Sequence, residues 1–202
     1  MRTLLRTVLP LLLIATSAFA AGRELAPRPL IPASESFENL GVASSAGRFL
    51  TVWQQDSANG LAIYGRIADE DGQTMTPFPF LIAETTRAGV SDLDVVGADH
   101  SFAVFYTDEA KAVHMANVTL DAFVVGTRML DLPRAAHMSV AWDGERFLAA
   151  VFRHDFSGDR VFATFLERDG TITGSAMQTS RMSPPPPAAS SSSPAVVTTS
   201  HA

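Results

Sequence analysis

Between about residues 37 and 179 the chain is written in short apolar runs, and polar turn residues interrupt them roughly every 8 to 12 positions. Val, Phe, Ile and Thr fill these runs, a choice that suits a pleated surface better than a helix of three or four turns. In the first stretch the runs are Glu38–Ser44, Arg48–Gln54, Leu61–Asp69 and Pro77–Ala83. Four more follow at Asp92–Gly97, Ser101–Thr107, Lys111–Thr119 and Phe123–Met129, and a last four at Ala136–Trp142, Arg146–Arg153, Arg160–Glu167 and Thr171–Gln178. Along Arg48–Gln54, Phe49, Thr51 and Trp53 alternate with Leu50, Val52 and Gln54. Both sets hold apolar residues, so this strand is expected to be covered on both faces.

The three groups of runs are copies. Arg48-Phe49-Leu50 returns as Arg146-Phe147-Leu148, Gly60 as Gly158 and Asp71-Gly72 as Asp169-Gly170, all 98 positions on. Ser101-Phe102-Ala103 lies 53 positions after Arg48-Phe49-Leu50 and 45 before the third copy, which makes a unit of about 49 residues. Such a period belongs to repeat arrays. Turn chemistry follows the same frame: Asn59-Gly60 and Ser157-Gly158 fall after the second strand, Asp71-Gly72 and Asp169-Gly170 after the third. The middle copy has Asp108-Glu109-Ala110 and Leu120-Asp121-Ala122 at these places, and its hairpins are expected to be shorter or differently shaped.

Units reading Gly47, Phe49, Leu50, Val52, Trp53, Gln54, Asp56 and then Ile63, Tyr64, Gly65, Arg66, Asp69, Asp71, Gly72 resemble the blades of secreted bacterial β-propeller-like proteins. The resemblance implies an all-β fold of three consecutive four-stranded antiparallel blade-like sheets, a partial or open β-propeller. It also implies an extracellular binding or scaffold module, of a kind that accompanies enzymes as a noncatalytic portion. Propellers close with four or more blades. Three resolutions stay open: an open array with imperfectly covered ends, two chains joined in a six-bladed ring, or additional blades in a longer product.

The flanks differ from this middle. Arg2 and Arg6, the apolar stretch Thr7–Thr16 and Ala18-Phe19-Ala20 have the order of a signal peptide, so residues 1–20 are expected to be cleaved after Ala20. Residues 21–36 form an N-terminal extension that carries an apolar Pro29–Ala33. Residues 180–202 form a Pro/Ser-rich tail, with four prolines at 184–187 and four serines at 190–193, and are expected to be disordered. The expected location is secreted or periplasmic, with no membrane association after signal cleavage.

Charge narrows the partners. The net charge is −6, and loss of Arg2 and Arg6 would leave thirteen basic against twenty-one acidic side chains, which disfavours nucleic acid as a partner. The sequence holds no cysteine, so disulfides, thiolate nucleophiles and Cys-based metal sites are excluded.

Candidate chemistry is sparse. Asp92, Asp94, Asp99, His100, Asp108, Glu109, His114, His137, His154, Asp155 and Asp159 are the polar residues considered, and they match no metalloprotease, nucleophile-elbow or phosphate-loop pattern. Ser157 lacks the preceding glycine of a nucleophile elbow. Asp155, Ser157 and Asp159 on one loop, or Asp69, Glu70 and Asp71 on another, offer oxygens to calcium but too few from one loop. Asp92 and Asp94 share a strand face, the arrangement from which a glycosidase-like acid pair would be drawn. Asn117-Val118-Thr119 is a glycosylation sequon. Phe49 and Phe147 are both expected in the core. No catalytic, cofactor-binding or metal-ligating residue is assigned and no cofactor is implied. The expected function is an exported module with a binding or structural role toward carbohydrate, peptide or protein. An exported hydrolase whose residues converge from blade loops is the alternative.

Overall fold

The computed structural model describes residues 37–85, 89–155 and 158–181; the expected signal peptide, the N-terminal extension and nearly all of the tail lie outside these residues. Twelve strands are present among the described residues: β1 (Phe37–Ser45), β2 (Arg48–Ser57), β3 (Gly60–Asp69), β4 (Phe80–Glu84), β5 (Asp92–Ala98), β6 (Ser101–Thr107), β7 (Val113–Thr119), β8 (Val124–Met129), β9 (His137–Trp142), β10 (Phe147–Asp155), β11 (Gly158–Leu166) and β12 (Ile172–Arg181). They form three four-stranded antiparallel sheets, each a meander in chain order: β1 to β4, β5 to β8 and β9 to β12. The fold is all-β and blade-like, as the repeat implies.

The sheets stack face on face. One apolar cluster joins Leu50, Val52, Ile63 and Ile67 of the first sheet to Val95, Phe102, Val104 and Tyr106 of the second. Another joins Ala103, Phe105 and Met115 on the opposite side of the second sheet to Met138, Phe147, Ala149 and Val151 of the third. Phe105 and Phe147 meet edge to face, with ring centroids 5.4 Å apart. Adjacent residues of β6 therefore point into different cores, which is why its run Phe102–Thr107 is buried without a break. The side of a sheet that looks toward the next sheet in the chain is its leading face; the other is its trailing face.

The first strands of the three sheets lie side by side in the same direction. Near the start of β1, Asn39 Nδ2 donates to Val90 O just before β5, at 3.1 Å. Near its end, Gly97 of β5 lies so close to Ser44 that a Cβ there would stand 1.8 Å from the Ser44 carbonyl oxygen. Only glycine tolerates that approach.

The middle sheet repeats its neighbours' hairpins more closely than its sequence suggests. After β3, β7 and β11 the turns share one hydrogen-bond scheme: Gly72 N to Asp69 O at 3.0 Å, Ala122 N to Thr119 O at 3.1 Å and Gly170 N to Glu167 O at 2.8 Å. Ala122 takes the left-handed conformation of the two glycines, with φ of 65° against 73° and 81°. The expected change of shape is absent here because the hydrogen bonds impose the turn even without glycine. The β6–β7 connection does differ, and it is longer, not shorter. Thr107 pairs with Val113 across five residues, whereas Ser57 pairs with Gly60 and Asp155 with Gly158 across two. In the outer copies Gln55–Ser57 and Arg153–Asp155 continue the strands.

Candidate binding face

Because every sheet is a meander and the first strands share a direction, the β2–β3 and β6–β7 hairpins lie at the same end as the β4–β5 and β8–β9 crossovers. At this crossover end the first sheet carries a cleft of about 260 Å³ lined by Glu38, Gln54, Gln55, Asp56 and Leu61. It adjoins a shallower hollow of about 380 Å³ along the turn from Asp56 to Leu61. Glu38, Asp56 and Asn59 are exposed, and Asn59 Nδ2 donates to Glu84 Oε1 at 3.4 Å. Gln54 forms the floor. Its carboxamide is buried, its Oε1 accepts from Val90 N at 2.6 Å, and Gly89, at φ +71°, packs against the same group. A buried amide needs such a partner, and here it also fixes the crossover that bounds the site.

A second polar group stands at the same end of the middle sheet. His114 Nε2 lies 3.0 Å from Asp108 Oδ2, and the His114 ring stacks on Tyr106 with centroids 5.0 Å apart. Burial works against the Asp108 charge, but the His114 side chain and the amide of Ala112 together hold its carboxyl below the usual range. Burial, with the nearby Asp108 charge, pushes the Tyr106 hydroxyl up to about 12.

The acid pair serves the fold. Asp94 Oδ2 accepts from Val140 N at 2.8 Å, and Asp92 Oδ2 accepts from Met138 N. The pair thus fastens β5 to β9 through backbone amides, and a glycosidase-like role for it does not match this placement. Burial raises the Asp94 carboxyl, partly countered by the amides of Val140 and Val95, with the Asp92 charge adding to the rise.

The remaining candidates are dispersed. His100 is exposed in the β5–β6 turn, Glu109 is exposed in the β6–β7 loop, and Asp99 pairs with Arg168 of the third sheet at the opposite end from the cleft. His137 stacks on Phe152, and His154 pairs with Asp159 across β10 and β11. Asp159 is thereby engaged by a histidine, while Ser157 and the side chain of Asp155 lie outside the described residues. In the other acidic loop Asp69 Oδ1 accepts from Asp71 N and Gln73 N at 3.1 and 2.8 Å, closing its own turn. Among the described residues no group of three or more His, Asp or Glu side chains gathers as a metal site. Asn117 of the sequon lies on β7 and donates to Arg168 O at 3.2 Å.

The cleft residues Glu38, Gln54 and Gln55 were not among the polar candidates. The available signal was Gln54, a carboxamide at the position that Thr107 and Phe152 hold in the other copies, all within strands of apolar character.

No protein-family model matches the chain, and no curated protein matches its sequence. Among solved structures the chain is similar to the β-propeller domain of the Trilobed protease from Pyrococcus furiosus, at 12% identity and a TM-score of 0.44, covering 73% of this chain and 44% of that one. A subtype N11 neuraminidase-like protein of A/flat-faced bat/Peru (H18N11) matches at 12% identity and a TM-score of 0.46, covering 72% of this chain and 40% of that one. Pyrococcus horikoshii acylaminoacyl peptidase matches at 12% identity and a TM-score of 0.43, covering 71% and 25%. The chain spans less than half the length of these three solved chains.

Proposed function

We propose that the protein is an exported binding module that takes a hydroxyl- or amide-bearing ligand, a carbohydrate or a peptide, at the crossover end of its first sheet. The observation that carries this reading is the cleft of Glu38, Gln55 and Asp56 over the buried Gln54. Carboxylates and carboxamides on a shallow, fixed floor accept and donate hydrogen bonds without needing a deep apolar pocket. Export rests on Arg2, Arg6, the apolar Thr7–Thr16 and Ala18-Phe19-Ala20, which favour a secreted or periplasmic location. Binding is preferred to hydrolysis because Asp92 and Asp94, the acid pair available for catalysis, are occupied with the amides of β9.

The test is an amide NMR titration of residues 21–202 with neutral oligosaccharides and, separately, with short lysine-containing peptides. The expected result is saturable shifts at Glu38, Gln55, Asp56 and Asn59, abolished by Asp56→Ala. Shifts confined to other surfaces, none with either probe set, or release of a cleavage product would overturn the reading.

A further inference from the structure

Of the first strands of the three sheets, β1 is the irregular one. β5 and β9 pair with the next strand residue for residue, from Asp92↔Thr107 to Ala98↔Ser101 and from His137↔Phe152 to Trp142↔Phe147. Along β1 the register slips: Gly41 stands opposite Val52, but Glu38 stands opposite Gln54, so β1 spends one residue more than β2 over this stretch. The extra residue is a β-bulge, and it reverses which face each residue before it occupies. Without it, alternation from Gly41 would put Asn39 on the face of Val52 and Gln54 and send Glu38 to the other face. With it, Glu38 joins Gln54 and Asp56 at the cleft. Asn39 both permits the bulge and ties it down. Its φ is +49°, in the left-handed region that asparagine enters more readily than most side chains. Its Nδ2 donates to Val90 O at 3.1 Å, while Val90 N donates to Gln54 Oε1 at 2.6 Å. Two carboxamides of the first sheet thus hold both backbone groups of Val90, and Gln54 and Val90 are buried. The contacts close a circuit that runs from Glu38 across to Gln54, on to Val90 and back to Asn39, the neighbour of Glu38.

We propose that Asn39 is a positioning residue for the cleft: its bulge and its bond to Val90 hold Glu38 beside Gln54 before any ligand arrives. Asn39 lies outside the residues that line the cleft and acts through Glu38. Holding a binding group in place beforehand removes the cost of ordering it on association. The inference rests on the reading of the cleft as the binding site.

The free protein, as residues 21–202, supplies the first measurement. Asn39→Gly accepts the same backbone angle but has no side chain to reach Val90, whereas Asn39→Val resists the angle itself. Hydrogen exchange at the Val90 amide is expected to quicken about tenfold in Asn39→Gly, with the amide signal of Glu38 shifted and the amides of β6 and β7 unchanged. Asn39→Val is expected to move Glu38 further, and circular dichroism shows whether it folds; Asn39→Gly carries the test if it does not. Binding supplies the second measurement, with the neutral oligosaccharides and the lysine-containing peptides as probes. Asn39→Gly is expected to weaken whichever probe binds by about fivefold, and to change affinity less than about twofold when Glu38→Ala is already present, because the two substitutions remove the same contact. A loss that persists in full on the Glu38→Ala background overturns the positioning role, since it then reflects general loosening. Unchanged Val90 exchange, or full affinity in Asn39→Gly, overturns it as well while leaving the cleft as the binding site. Wild-type protein that binds neither probe set overturns the cleft reading and this role with it.

Discussion

Arg48-Phe49-Leu50 and Arg146-Phe147-Leu148 are the same three letters at the same place in two sheets, and their burial is opposite. Phe49 is 41% exposed with Leu50 at 0%, while Phe147 is at 1% with Leu148 at 39%. Both phenylalanines occupy trailing faces and both leucines leading faces, so the backbone repeats faithfully. Position in the array decides the difference: the first sheet has no described sheet behind it, and the third has none in front. A repeated motif therefore specifies which way a side chain points, and the neighbour specifies what that direction is worth.

Truncation offers the largest way to break this comparison. Phe147→Ala is expected to cost about 3 to 5 kcal/mol, and Phe49→Ala less than half of that, about 1 to 2 kcal/mol. The order reverses for the leucines, with Leu50→Ala costing about 2 to 5 kcal/mol and Leu148→Ala roughly 1. Urea denaturation of the four variants checks both orders, and equal losses for Phe49 and Phe147 would sink the assignment of faces.

Gly97→Ala probes the join between the first two sheets and not a side-chain face. Its added methyl meets the Ser44 carbonyl, so a loss of about 1 to 3 kcal/mol is expected by thermal or chemical unfolding. A loss no larger than for Ala at the exposed Gly126, where nothing lies near the Cβ direction, would contradict the close approach of β1 and β5.

Two carboxyls distinguish ties within a sheet from ties between sheets. Asp108, held below its usual range, contributes stability above the unfolded-state value near 4 that is lost as pH falls through its folded value. Asp94, raised by burial, acts oppositely: the folded state is relatively favoured at low pH, and that advantage is lost as pH rises from near 4 through its folded value. Asp108→Asn should therefore reduce the acid loss of stability, and Asp94→Asn should reduce the loss on the rising side, both read from unfolding midpoints between pH 3 and 6. The smallest effect is expected at Ala122→Gly, which removes the strain of a left-handed alanine and raises stability by up to about 1 kcal/mol.

Much of the fold is legible in the letters because strand pairing is local. Alternation along Arg48–Gln54, turn residues at Asp71-Gly72 and Asp169-Gly170, and the recurrence of Arg-Phe-Leu define four strands per unit. The hairpins of the middle sheet were harder to read, since the hydrogen bonds from Ala122 N to Thr119 O and from Thr119 N to Phe123 O hold a glycine's conformation on an alanine. The cleft was not legible. Glu38 lies on β1 and Asp56 on β2, and Gln54 becomes a floor only because the amide of Val90, thirty-six residues away, reaches its side-chain oxygen. Asp92 and Asp94 invited a chemical reading for a similar reason, because their partners, the amides of Met138 and Val140, belong to a different sheet.

By itself the sequence determined the unit: its period, its four strands and the two-sided apolar pattern that obliges sheets to stack, all consequences of short-range sterics and of the need to hide apolar surface. Tertiary structure alone decided the burial of Phe147 but not Phe49, the joining of Glu38, Gln54 and Asp56 in one cleft, and the use of Asp92 and Asp94 as fasteners. Burial and hydrogen bonding between sheets are properties of pairs distant in the chain, and such pairs exist only once the repeats have packed.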